Sequence, residues 1–162
     1  MAEVDYPGTL PWPTRQGYGI NHVSPMLVST LASGRKRRRR RFTNVPSMVT
    51  VEWIMDEGQA QLFELWFRAD YNEAEPNRGG IQDGTVWFNC PLKTPIGERH
   101  YEAVFDDIYS GPEPYGLCQW RFTATLELRE RQTLPESDLD WPDEIIYSSL
   151  FDYTMNKHWP KR

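Results

Sequence analysis

Seven consecutive residues of this chain, at positions 35–41, are basic, and this run limits the fold more than any other feature. Side chains of a β-strand alternate between two faces, so a strand made of this run carries positive charge on both. Neither face can join a hydrophobic core, because unpaired buried charges are costly. The run is therefore predicted to form a sheet edge, an exposed hairpin or a subunit interface. Its members are Arg35, Lys36, Arg37, Arg38, Arg39, Arg40 and Arg41.

The rest of the chain has the opposite charge. The run holds 7 of the 18 Lys and Arg residues, so the other 155 residues carry 11 positive and 23 negative charges, or −12. This distribution argues against a uniformly basic nucleic-acid coat. It indicates a protein whose copies, or whose neighbours, meet through opposite charges.

Three roles for the basic run stay open at this level. Arginine forks could pair with carboxylates of a neighbouring copy. They could instead contact a nucleic-acid backbone, or the run could be a peptide resembling a nuclear-localisation signal. Aromatic residues are not interleaved with the arginines, which argues against a stacking platform for single-stranded nucleic acid.

Residues 27–131 are predicted to form a β-rich core domain with one helix. Val49, Val51 and Trp53 alternate with polar residues, a pattern typical of a half-buried strand. Asp56, with Gln59 three residues on, resembles a capping box and predicts a helix over 56–70. The fold class expected from this pattern is mainly β, with long strands and one flanking α-helix.

Three further strands are predicted after the helix. The first, over 85–92, is expected to end at its proline, and the second spans 100–109. Residues 110–116, rich in proline and glycine, are predicted to form a loop. The third strand, over 119–129, alternates apolar and polar residues and would span roughly 36 Å, which suits a long, curved sheet.

Two arms are predicted to flank the core. Residues 1–26 contain four prolines that prevent long regular elements, yet their apolar and aromatic residues indicate an ordered arm packed on this subunit or a neighbour. Residues 132–162 contain an acidic segment followed by an apolar one, which predicts a C-terminal arm. The surface on which this arm docks is left open. Interface residues are predicted in both arms, besides the basic run: Trp12, Tyr18, Trp141, Phe151 and Tyr153.

No catalytic or metal-binding constellation stands out. The three histidines lack paired spacing, no nucleophile elbow occurs, and adjacent acids such as Asp106 and Asp107 are expected to be solvated. The chain is therefore predicted to be no enzyme, with no metal and no cofactor. Cys90 and Cys118 are expected to be buried thiols in a reducing compartment, with a cross-strand disulfide left open. Neither a membrane span nor a signal-peptide layout is expected.

Several blocks together resemble a family of small virion proteins of tailed bacteriophages, encoded among the tail genes near the tape-measure protein. The resemblance covers residues 6–131 and leaves out 132–162. The blocks that carry it are 6–11 with 15–18, 39–46, 59–67, 87–92 and 120–131, the last reading Trp120-Arg121-Phe122-Thr123 at its start.

The resemblance implies a structural role without catalysis. It implies a β-sandwich or barrel of long antiparallel strands with a flanking helix, similar to a tail-tube subunit, in a homo-oligomeric ring of six copies or of three. The implied partners are tube, tape-measure or hub proteins, and the implied location is the virion tail, with the host cytoplasm during assembly. Position along the tail stays open. The alternative is a connector or tail-completion protein whose arginine-rich strand contacts DNA.

Overall fold

The computed structural model describes residues 4–15, 17–72 and 79–147, which fall into two compact units, Met1–Arg131 and Gln132–Arg162. The larger unit is mainly β with one flanking helix, which confirms the predicted class. Its elements are β1 Val4–Asp5, β2 Gly19–His22, β3 Met26–Thr30, β4 Lys36–Arg40, β5 Ser47–Asp56, α1 Glu57–Arg68, β6 Phe88–Thr94, β7 Gly97–Phe105, β8 Ser110–Tyr115 and β9 Gln119–Leu128.

Seven of these strands form one sheet in the order β1-β6-β7-β9-β5-β2, and β8 also pairs with β9. All pairs are antiparallel except β1 with β6. Strands β7 and β8 divide one edge of the long β9, while β5 covers the other edge along its whole length. Among the described strands the sheet is open, because β1 and β2 end it without pairing with each other, and no closed barrel forms.

The centre of the sheet is the β5–β9 pair, which runs without a break from Ser47 opposite Leu128 to Asp56 opposite Gln119. Every second residue of β5 is buried, and the same holds for β9 from Phe122 to Leu128. Cross-strand partners share a face, so Trp53 meets Phe122 in the interior. The alternation predicted for both strands is confirmed.

Helix α1 follows β5 directly and packs its aromatic side against the inner face of the sheet. Phe63 lies at the middle of this contact, with its ring centroid 4.9 Å from Phe122, 5.4 Å from Trp53 and 5.4 Å from Tyr109. Aromatic pairs at such distances contribute beyond their buried area. In the described part of the chain no helix is long and apolar enough to cross a membrane.

The helix begins as the sequence predicts, at a capping box. The Asp56 carboxylate accepts the backbone N–H of Gln59 at 2.8 Å, and the Gln59 side chain accepts the N–H of Asp56 at 3.2 Å. Both bonds satisfy backbone donors that the first helical turn leaves unpaired.

Replacing the cap should have a measurable cost. Asp56→Ala is expected to lower the free energy of unfolding by about 1 kcal/mol, because an alanine at the N-cap cannot accept the Gln59 N–H. Asp56→Asn keeps an acceptor, so its free energy of unfolding should stay within a few tenths of a kcal/mol of the value for the unmodified protein. Urea unfolding measures both. An equal loss in the two variants would mean that the charge matters here rather than the cap.

Two segments differ from the sequence prediction. Residues 110–116, expected as a loop, contain strand β8, and β6 continues through Pro91 instead of ending there. Among the described strands β8 pairs with β9 alone, so its prolines lie on a strand whose other edge needs no donors. Pro91 is tolerated similarly, because β1 reaches only as far as Asn89 along that edge of β6.

The segment between β1 and β2 runs from one end of the sheet to the other. Thr14 donates its N–H to the Glu52 carbonyl of β5 at 2.6 Å. On the other side, Arg15 pairs with Glu98 at 3.7 Å, and the Trp12 and His100 rings lie 6.5 Å apart at the β6–β7 hairpin. Residues 12–15 thus contact both β5 and the β6–β7 hairpin.

The smaller unit contains a 3-10 helix, Glu136–Asp140, followed by helical backbone at 142–147. None of its residues up to position 147 is buried. Its exposed apolar side chains include Leu139, Trp141 and Ile146.

Candidate assembly surface

The basic run folds into a two-stranded hairpin that is separate from the main sheet. Strands β3 and β4 pair in a continuous antiparallel register. They lie in the chain between β2 and β5, which pair with each other, so the hairpin extends that pair outward. Pro25 joins the two parts, because its carbonyl accepts the N–H of Arg41 at 2.8 Å.

The turn of the hairpin is closed by two backbone bonds of 2.9 Å, from the N–H of Leu31 to the carbonyl of Arg35 and from the N–H of Gly34 to the carbonyl of Leu31. Gly34 has a φ of +78°, a conformation that glycine adopts without steric cost. The predicted turn into the basic run is therefore present, and the run lies in an exposed hairpin, as one of the predicted placements had it.

All seven basic residues of the run are exposed. In the part of the chain that the structure describes, none of them forms an ion pair. Arg40 donates to the carbonyls of Phe42 and Thr43 at 3.1 and 2.8 Å, and the Arg41 guanidinium lies 5.1 Å from the Phe42 ring centre. These two arginines are therefore held locally at the base of the hairpin.

The register gives the hairpin two different faces. Arg38 lies opposite Val28 and Arg40 opposite Met26, so one face mixes cations with apolar side chains. Met26 is 55% exposed and Val28 47% exposed, which is unusual for two such residues side by side. We call this the mixed face; its members are Met26, Val28, Thr30, Lys36, Arg38 and Arg40.

A hairpin of this composition gains from an anionic partner. An isolated two-stranded hairpin is only marginally stable in water. Neighbouring cations on one face, such as Arg37 and Arg39, lie about 7 Å apart, and each such pair costs roughly 0.6 kcal/mol in water before salt screening. Acidic groups placed on the hairpin would offset this repulsion.

The two predicted interface residues of the N-terminal segment lie away from the basic run. Trp12 and Tyr18 line a cavity of about 280 Å³ together with Arg15, Lys93 and Glu98. Burial raises the pKa of Tyr18 to about 12, with smaller contributions from Cys90 and Tyr101. Its hydroxyl is buried and has no hydrogen-bond partner among the described residues. No residue of the basic run lines this cavity.

Of the residues predicted in the C-terminal arm, Trp141 is described and is 66% exposed. Phe151 and Tyr153 lie outside the described residues. The acids that precede them are Glu136, Asp138, Asp140, Asp143 and Glu144, and none of the five forms an ion pair within the described ranges.

The cysteine prediction is half wrong. Cys90 is buried in β6, but Cys118 is exposed in the β8–β9 turn, and neither forms a disulfide. The turn is too short to cover its own side chains, and the adjacent Leu117 is fully exposed. Leu117 was not singled out from the sequence, and neither were Met26 and Val28, whose position beside the arginines depends on the β3–β4 register.

The described residues contain no group of His, Cys, Asp or Glu that could hold a metal ion. Comparison with models of protein families, with curated proteins and with solved structures finds no match.

Proposed function

We propose that this chain is a structural component of a bacteriophage tail: a distal-tail, baseplate or tube-like ring subunit that acts through subunit contacts rather than catalysis. The observation that carries the proposal is the projecting β3–β4 hairpin, with seven exposed cations and no ion pair among the described residues. The resemblance over residues 6–131 supplies the viral context.

Ring assembly explains the charge distribution. Subunits in a closed ring meet head to tail, so each carries two different patches that match each other. A cationic hairpin on a chain whose remaining residues sum to −12 provides such patches. The proposed partners are further copies of the chain, in a ring of six or of three, and adjacent tube, tape-measure or hub proteins. Its location would be the virion tail, after assembly in the host cytoplasm.

The same proposal includes a β-sandwich or barrel as the architecture of the subunit. A tube-like subunit is a β-sandwich or barrel, whereas the described sheet is open at β1 and β2. The contacts of residues 12–15 support a barrel-like subunit, because they link β5 and β7, on the two sides of β9, without strand pairing. Closing the tube would then depend on neighbouring subunits.

Labelling tests the location of the protein. A peptide tag inserted after Arg131, between the two compact units, would be detected by gold-conjugated antibody on purified particles of the phage that encodes the chain. We expect label at the tail. Label confined to the capsid, or particles free of the protein, would contradict a tail role.

The alternative is a connector or tail-completion protein that contacts DNA, and the exposed arginines of β4 favour it. Binding through several phosphate contacts would weaken steeply as salt rises. A titration with duplex DNA of random sequence distinguishes the two functions. A steep salt dependence that disappears when Arg37, Arg38 and Arg39 are replaced would favour the connector.

A further inference from the structure

We infer that the mixed face of the hairpin binds the acidic segment 136–144 of a second copy of this chain. The inference rests on the proposed assembly function and names the partner of its principal surface. Two kinds of complementarity carry it, one of charge and one of exposed apolar groups.

The first is charge. Segment 136–144 contains five acids and no basic residue. Four of the acids are exposed and Asp138 is half-buried, and none of the five has an ion-pair partner in the described ranges. On the mixed face, Lys36 and Arg38 likewise form no ion pair with a described residue. Arginine forks bind carboxylates through paired hydrogen bonds, which fix orientation as well as supply attraction.

The second is apolar surface. Leu139 is 78% exposed and Trp141 is 66% exposed, on either side of Asp140. On the mixed face, Met26 and Val28 lie on β3, directly opposite Arg40 and Arg38 of β4. An indole ring placed against this face can cover the apolar side chains and also contact an arginine through its π-face.

This apolar content favours a protein partner over nucleic acid. Phosphate backbones bind arginines but do not bury Met26 and Val28. A peptide with both acids and large apolar side chains satisfies both parts of the mixed face. Segment 136–144 of a neighbour has this composition, and it is present at the same copy number as the hairpin.

Reciprocal charge exchange tests the pairing. The hairpin variant carries Lys36→Glu and Arg38→Glu, and the segment variant carries Asp138→Arg and Asp140→Arg. A control with Asp106→Arg and Glu130→Arg makes the same charge change at exposed acids elsewhere. Each protein is followed by sedimentation velocity, alone and in equimolar mixtures, and far-UV circular dichroism checks that it is folded.

We expect each variant alone to self-associate with a Kd about tenfold or more above that of the unmodified protein. An equimolar mixture of the two should associate again. The glutamates on the hairpin of one variant then meet the arginines on the segment of the other, and the unmodified hairpin meets the unmodified segment. The control should associate like the unmodified protein. Recovery in the mixture is the supporting result, since general misfolding cannot produce it.

Three results would overturn the inference. Self-association that is unchanged in the segment variant would mean that the hairpin meets another patch, and tail labelling would still support the proposed function. A monomer at all concentrations, with tail label intact, would mean that the hairpin binds a different tail protein. Salt-sensitive binding to duplex DNA without self-association would assign the hairpin to nucleic acid.

Discussion

Replacing Arg37, Arg38 and Arg39 together with threonine is expected to abolish the formation of infectious particles. Threonine keeps the β-propensity of β4, and the base of the hairpin keeps the contacts of Arg40 and Arg41. The change removes three exposed cations that form no ion pair among the described residues. It should therefore leave the folded subunit intact and affect only what the subunit binds.

Particle yield and plaque titre measure this effect when the phage gene is replaced or complemented. The matched control replaces the same three residues with lysine, which keeps the charge and loses the arginine fork. Partial recovery with lysine would show that charge supplies most of the contact. Normal particle yield from the threonine variant would contradict a role of the hairpin in assembly.

The second large effect concerns stability. Trp53→Ala is expected to lower the free energy of unfolding of the larger unit by about 3–5 kcal/mol. Trp53 is fully buried, and its ring lies 5.4 Å from Phe63 and 6.3 Å from Phe105. Its removal leaves a cavity between β5 and α1 that rigid neighbours fill only partly.

Urea unfolding followed by circular dichroism measures the loss. Trp12→Ala is the control, because Trp12 is half exposed and should cost about 1 kcal/mol or less. Similar losses for the two variants would contradict the assignment of Trp53 to the centre of the core.

The sequence predicted those parts of the fold that depend on local patterns. Two such patterns are the alternation in 47–56 and in 119–128, and a third is the capping box at Asp56. Each involves residues close together in the sequence, so it can be recognised without knowing the sheet order. Strand β8 escaped prediction because its prolines are acceptable only at a sheet edge, a fact that depends on the distant β9. The sheet order depends on such distant pairs throughout.

The candidate site, like the fold, was predicted only where local sequence determines it. The seven basic residues and their exposure follow from the impossibility of burying charge on both faces of a strand. The mixed face does not follow from composition, because it needs the register that sets Val28 opposite Arg38. Trp12 and Tyr18 were predicted as interface residues of the N-terminal arm, and they line a cavity that includes none of the run.

A cryo-electron microscopy map of the assembled particle, at a resolution that traces the backbone, would show directly what the hairpin contacts. We predict that strands β3 and β4 lie against an adjacent subunit, with Lys36 and Arg38 facing the acids of its segment 136–144. A map in which the hairpin points into open solvent, or lies along DNA, would contradict it.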